Sequence, residues 1–383
     1  MTRPIPLSAP DITQAEIDAV TAVLRTNRLS LGPEMEAFEA AMAAYHGMPA
    51  AIAVSSGTAG LHLSLLALGI GAGDEVIVPS FAFIAVANAV AYVNANPTFV
   101  DVDPLTLNLD PARVEEAITS RTKAILVVHT FGVPAQMDRL LAIARTHGLA
   151  IIEDACEAIG AEFARQKVGT FGDLAVFGFY PNKQITTGEG GCILARDPAL
   201  AERLRGLRNQ GRPPAGSASA ATSSWFEHIE VGYNYRLSEI ACALGRVQLS
   251  RIDEILSLRR AAAERYHALL NINPALELPP LTLPDRTISW FVYVVRLNTE
   301  DSNPSEVRDR VQAALGTRGI ATGRYFAPIH LQPAWKDRLP APRKNLALTE
   351  SIARCTLALP FFNRITSKHQ QDVAVALTTV TRT

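Results

Sequence analysis

Phe177-Gly-Phe-Tyr-Pro-Asn-Lys-Gln-Ile-Thr-Thr-Gly-Glu-Gly-Gly191 sets Lys183 between an aromatic strand and a glycine-rich turn. The chain has only six lysines, at 123, 167, 183, 336, 344 and 368, and the other five lie near turns, charges or prolines. An amine held where the chain leaves a strand can be desolvated, and a desolvated amine is a carbonyl nucleophile. Taken alone, the stretch reads as well as a lysine on a loop that follows a strand.

Outward from this stretch, short apolar runs alternate with helical patterns. Strands are expected at 51–54, 75–79, 98–102, 124–128, 150–153, 174–179 and 191–195. Helical patterns fall between most of them, as at 137–147 with apolar residues at 140, 141, 143 and 144. That alternation predicts an α/β domain with a largely parallel sheet. The Gly-, Ser-, Ala- and Pro-rich segment 211–224 predicts a long mobile loop. Helices are expected at 238–249 and 252–270, then a proline-rich join near 279–284 and a strand at 291–297. Helices near 305–315 and 367–379 complete a smaller α+β unit. The chain therefore divides into a large domain over 1–250, with an N-terminal arm, and a small domain over 251–383.

With 383 residues, 48 % hydrophobic and 19 % charged, the chain can build a sizeable core. A net charge of −1 gives no electrostatic case for nucleic acid or an anionic membrane surface. The apolar run 81–93 is too short to span a bilayer and contains Asn88. The start, Met1-Thr-Arg-Pro-Ile-Pro-Leu, lacks the apolar core of a signal peptide, so a cytoplasmic protein is expected. Cysteines at 156, 192, 242 and 355 show no paired spacing, which argues against a zinc site, an iron–sulfur cluster or a disulfide framework.

Three further stretches keep company with Lys183. Ser55-Ser-Gly-Thr-Ala-Gly-Leu61 follows the first strand and opens an apolar helix. Its glycines and free N–H groups suit a phosphate, although Ser and Thr there are also ordinary helix caps. Asp154 ends the run Leu149-Ala-Ile-Ile-Glu-Asp, at the strand end where open α/β sheets bind ligands. A buried carboxylate needs a cationic partner, which a protonated pyridine nitrogen would supply; capping of a following helix is the alternative. Pro79-Ser-Phe-Ala-Phe-Ile places Phe81 and Phe83 past another strand end, either to stack on a planar ring or to fill the core. A phosphate cradle, a ring stacker, a strand-end carboxylate and a desolvated lysine together describe a site for pyridoxal 5'-phosphate (PLP).

With these motifs the chain resembles the DegT/DnrJ/EryC1/StrS family of sugar aminotransferases. The resemblance runs from Ile5-Pro-Leu-Ser-Ala-Pro-Asp to about Asn363. It is carried by Ser56-Gly-Thr, Phe83-Ile-Ala, Glu153-Asp-Ala, Lys183 with Thr186-Thr-Gly-Glu-Gly-Gly191, Gly232-Tyr-Asn-Tyr-Arg236, Trp290, Tyr325-Phe-Ala-Pro-Ile-His330 and Leu359-Pro360. The resemblance implies a fold-type-I PLP enzyme, aspartate aminotransferase-like, with a mostly parallel seven-stranded sheet. It also implies a homodimer with active sites between subunits, and transfer of an amino group from glutamate (or glutamine) to a nucleotide-linked keto-sugar. By motif, Lys183 is the aldimine lysine and proton shuttle, and Asp154 pairs with the pyridinium nitrogen. Phe83 stacks on the ring, and Ser56, Gly57 and Thr58 form the phosphate cradle. Asn234 reaches the phosphate in the neighbouring subunit, while Tyr325 and His330 lie near substrate.

Two positions depart from the common family pattern. Gly178 stands where many relatives carry a serine whose hydroxyl binds the phosphate. Either that contact is lost and partly replaced, or glycine is there for a positive φ. Glu157 stands where many carry Gln near the ring oxygen; a carboxylate beside a phenolate repels it, so Glu157 is expected protonated or turned away. The N-terminal stretch and Asn-Lys-Gln-Ile-Thr-Thr are most similar to the branch that aminates C4 of 4-keto-6-deoxy sugars, in amino-sugar and polysaccharide biosynthesis. Cyclitol ketones are also family substrates. A sugar dehydratase of this fold replaces the lysine with histidine, so Lys183 argues against it. A non-catalytic PLP- or sugar-binding regulator is disfavoured by the intact Lys183 and Asp154.

Overall fold

The computed structural model describes residues 4–213, 227–298, 303–338 and 346–381. The loop expected at 211–224 lies, from 214 onward, outside the described residues. Seven strands form the main sheet: β1 (Ala50–Val54), β2 (Glu75–Pro79), β3 (Asn96–Val100), β4 (Thr122–Val128), β5 (Ala150–Asp154), β6 (Leu174–Gly178) and β7 (Gly191–Ala195). Their spatial order is β1-β7-β6-β5-β4-β2-β3. β7 runs antiparallel to both its neighbours, and the other pairings are parallel.

Layered helices explain why the strands read as continuous apolar runs. A sheet covered on both faces buries both sets of alternating side chains. In β1, Ile52 and Val54 join one core with Leu61, Leu63 and Leu65 of helix Gly57–Ala67. Ala51 and Ala53 face the opposite core, with Phe38 and Met42 of helix Pro33–His46. The third strand begins and ends two residues before the expected 98–102. Pro97 is accommodated because β3 is an edge strand paired with β2 alone. Two helices not assigned from sequence precede the sheet, Gln14–Leu24 and Pro33–His46. The first starts at a capping box of Thr13 and Glu16, and the second stops at Gly47 in the left-handed region.

A second unit carries the antiparallel strands β8 (Leu276–Glu277), β9 (Tyr293–Leu297) and β10 (Thr356–Leu359). Its core gathers Tyr266, Tyr293, Leu357 and Leu377, and Ile5 from the N-terminal segment. The expected strand at 291–297 starts two residues later, at Tyr293. Ser289 and Phe291 instead donate their N–H groups to the carbonyls of Gly132 and Phe131 in the large unit. That crossing carries Phe291 to the edge of the main sheet. Among the described residues no helix is long and apolar enough to cross a membrane.

Candidate active site

β1, β2, β5 and β6 run parallel, so their carboxyl ends share one edge of the sheet. A cavity of about 420 Å³ opens there. Ser56, Gly57, Thr58, Phe83, Asp154, Glu157, Lys183 and Tyr325 all line it. The sequence scatters these residues over more than 250 positions; the parallel strand ends gather most of them, the excursion between β6 and β7 adds Lys183, and the second unit adds Tyr325.

Lys183 sits on an excursion between β6 and β7 that is tied at its base. The Phe179 N–H donates to Gly190 O at 2.9 Å, and Phe179 O accepts from the Thr187 N–H at 3.0 Å and the Thr186 hydroxyl at 2.9 Å. Gly188, at φ 82°, makes the turn in a conformation that other residues adopt only with strain. The Lys183 ammonium lies 3.3 Å from Glu157 Oε1 and 4.0 Å from the centre of the Phe291 ring. Both side chains of the ion pair are largely buried, 16 % and 9 % exposed. The second Glu157 oxygen accepts from the Phe131 N–H at 2.9 Å. Burial pushes the Glu157 carboxyl above its ordinary range, and the adjacent Lys183 charge opposes this. Glu157 is thus turned toward the lysine in this structure.

Asp154 is buried at the tip of β5 and accepts from the Cys156 N–H at 3.1 Å. No helix follows it, so it is not a helix cap. Among the described residues no cationic side chain forms an ion pair with it. The cavity therefore presents an uncompensated carboxylate, the feature that a protonated ring nitrogen would satisfy. At the end of β1, the Ser56 hydroxyl caps helix Gly57–Ala67 by accepting from the Ala59 N–H at 3.0 Å. Capping and anion binding coexist here. The cap uses the N3 amide, and the Gly57 and Thr58 N–H groups, which have no acceptor inside the helix, remain for a phosphate. Phe81 and Phe83 divide the two readings of their motif: Phe81 is fully buried core, whereas Phe83 is 64 % exposed on the cavity wall. Amine, unpaired carboxylate, open aromatic face and helix N-terminus fit PLP in size and charge.

Two predicted residues are not brought to the cavity. His330 is buried, with Nδ1 2.7 Å from Ser80 Oγ and Nε2 3.2 Å from Glu350 Oε1. Both ring nitrogens are engaged in holding its segment, and it does not line the cavity. Asn234 is exposed and bridges by its backbone to Asn209, outside the cavity of its own chain. Tyr325 does line the cavity, and burial, with the Glu157 charge adding to it, pushes its phenol up.

Other side chains, given no role from the sequence, support the site. Gln184 is buried, and its Nε2 donates to Glu157 O at 2.6 Å, Ser289 O at 2.9 Å and Ser289 Oγ at 3.0 Å. It ties the lysine loop to the Asp154 turn and to the second unit. Arg259, also buried, donates to Trp290 O at 2.8 Å and Phe291 O at 3.1 Å and so fixes the ring beneath the lysine. Glu153 accepts N–H bonds from Gly169, Phe171 and Gly172 and faces His129 Nε2 at 3.0 Å, which anchors the strand that ends in Asp154. The alternation of Glu153 and Asp154 on a strand was the available signal, since adjacent residues point to opposite faces.

Comparison with known proteins agrees with this arrangement. The profile of the DegT/DnrJ/EryC1/StrS aminotransferase family matches residues 10–378. GDP-perosamine synthase of Caulobacter vibrioides is 40 % identical over 375 residues, 97 % of each chain. The structure of S. venezuelae DesV in complex with a ketimine intermediate superposes with a TM-score of 0.89 at 38 % identity, covering 100 % of both chains. The PLP-form of the sugar aminotransferase Spr1654 from Streptococcus pneumoniae gives a TM-score of 0.90 at 26 % identity over 99 % of both chains. The sheet order, the cavity at its carboxyl edge and these similarities converge on the fold-type-I architecture. The chain belongs to the DegT/DnrJ/EryC1/StrS aminotransferase family and is a PLP-dependent sugar aminotransferase.

Proposed function

We propose that the enzyme moves an amino group from glutamate (or glutamine) to C4 of a 4-keto-6-deoxy sugar carried on a nucleotide, in amino-sugar and polysaccharide biosynthesis. The observation that carries the reading is the Lys183 amine, 3.3 Å from Glu157 in a cavity that also exposes the unpaired Asp154 carboxylate. Similarity to GDP-perosamine synthase supports the nucleotide sugar and the C4 position.

PLP, when bound, supplies the electron sink and carries the amino group between the two substrates. Asp154 would pair with the ring nitrogen and favour its protonated form. Gly57 and Thr58 give backbone N–H groups, and Thr58 a hydroxyl, to the phosphate. Phe83 covers one ring face. The Lys183 amine would supply the nucleophile toward the cofactor's carbonyl and, as a free amine, would hold the proton that leaves the substrate carbon. Glu157 positions the amine and would take the proton that the ammonium must lose before it can act as a nucleophile, and Phe291 excludes water beneath it. Tyr325 presents its hydroxyl to the sugar. Asn234, exposed and off its own cavity, serves the phosphate of the neighbouring subunit in a homodimer with shared sites.

Half-reactions test this. Glutamate should convert the yellow loaded enzyme to its pyridoxamine form, and a nucleotide-linked 4-keto-6-deoxy sugar should reverse the change and yield a 4-amino sugar by NMR. Reversal only by 3-keto sugars or cyclitol ketones would refute the C4 assignment. No spectral change with glutamate or glutamine would refute the donor.

A further inference from the structure

Gly178 and Cys156 share one space. A Cβ built on Gly178 would meet Cys156 Sγ at 3.1 Å and Cys156 Cβ at 3.3 Å. A Cβ on Gly57, at the start of the helix that cradles the phosphate, would meet the same sulfur at 2.8 Å. The thiol is therefore boxed between two glycines and opens onto the cavity, which Cys156, Gly57 and Gly178 all line. Gly178 is not among the residues with φ in the left-handed region, so its backbone does not demand glycine. The glycine is instead what the sulfur permits.

We infer that Cys156 is a specificity-determining partner of position 178: its side chain fills the place beside Gly57 that a side chain from 178 would take, and its S–H, in place of a hydroxyl from 178, faces the phosphate of the cofactor. This rests on reading the cavity as the PLP site. The chemistry is consistent. Burial, with Asp154 close by, pushes the Cys156 thiol well up, so it faces an anion as a proton donor and not as a thiolate. Among the described residues its acceptors are the Asp154 carboxylate, which the cofactor's ring nitrogen would engage, and the distant Val176 O, 3.7 Å from the sulfur.

The experiment is PLP titration of the apo-protein, read by absorbance, for the unaltered chain and the variants Cys156→Ala, Cys156→Ser, Gly178→Ser and Cys156→Ala/Gly178→Ser, with circular dichroism as a check of fold. Cys156→Ala should loosen PLP several-fold, whereas Cys156→Ser, which keeps a donor, should not. Gly178→Ser should loosen PLP while the sulfur is present and tighten it once Cys156 is Ala. The two effects should thus depart from independence by roughly two-fold or more, as expected for residues in contact. Independent effects, tighter binding by Gly178→Ser alone, or equal losses for Cys156→Ala and Cys156→Ser would each overturn the inference. If the unaltered protein takes up no PLP, the reading of the cavity fails; if it binds PLP and the effects are independent, only the pairing falls.

Discussion

Replacing Lys183 by Ala should do two separable things. Catalysis loses its nucleophile and proton carrier together. General acid–base catalysis alone contributes about 10²–10⁴-fold, so turnover should fall by at least roughly three orders of magnitude while PLP still binds non-covalently. The second effect is on the fold. Opposite charges 3.3 Å apart attract by about 5 kcal/mol at an effective dielectric near 20. Removing one partner of a buried pair typically costs about 3–5 kcal/mol. Proton uptake by the stranded Glu157 limits that loss, and this fixes its pH dependence. Glu157 already sits above its ordinary value of 4.5 because of burial, and loss of Lys183 raises it further. A carboxyl with a raised folded pKa stabilises the fold most below its unfolded pKa, and the benefit is lost as pH rises through the folded value. The variant should therefore match the parent near pH 4.5 and fall progressively behind toward pH 8. Urea midpoints of the apo-proteins measure this, compared as midpoints because two folded units need not unfold in one step. Adding Glu157→Gln to the lysine variant should close the gap without restoring turnover. A gap independent of pH, or one that persists in the double variant, would show that the pair is not what holds this wall together.

Asp154→Asn keeps the shape and loses the charge, so turnover should drop by orders of magnitude with urea midpoints nearly unchanged; wild-type turnover would end its pairing with the ring nitrogen. Glu153→Gln turns one oxygen with two donors on it into a competing donor, and two hydrogen bonds to a charged group amount to about 3–6 kcal/mol. Burial pushes the Glu153 carboxyl up, but the His129 and backbone N–H bonds outweigh it and hold the carboxyl low, so its stabilisation is present above about pH 4.5 and is lost as pH falls through the lower folded value. A loss under about 1 kcal/mol for Glu153→Gln at pH 7 would contradict the bonding seen. Mixing inactive Lys183→Ala with inactive Asn234→Asp chains should restore part of the activity, because one site of a mixed dimer then holds both native groups. No recovery, with subunit exchange shown by mass spectrometry, would count against shared sites.

The main sheet was legible because its strands are buried on both faces, so each stands out as an apolar run between turns. The helix Met137–His147 was legible for the converse reason, with Leu140, Ile143 and Ala144 buried and charged residues opposite. Helix Pro33–His46 was not. It is rich in alanine, buries Met35, Phe38 and Met42 against Ala51 and Ala53, and offers no long apolar stripe. That Lys183, Asp154 and Gly57 line one cavity was legible because each follows or ends a strand of the main sheet beside residues that a ligand site needs together. The partners of His330 were not legible, because a histidine near a tyrosine in sequence says nothing about where its ring points, and here Ser80 and Glu350 take both nitrogens.

What stayed hidden depends on pairs far apart in the chain. Phe291 reaches Lys183 only because Arg259 and the Phe131 carbonyl hold residues 290–291 off the strand that follows. The Gly178 departure looked from sequence like either a missing contact or a backbone requirement. The structure removes the second option and changes the first, since a side chain at 178 would press on a sulfur from 22 positions earlier. A substitution at a binding wall is therefore interpretable only with its spatial neighbour. Cys156 and Gly178, which touch each other, should be treated as one exchange of side chains between adjacent strand ends.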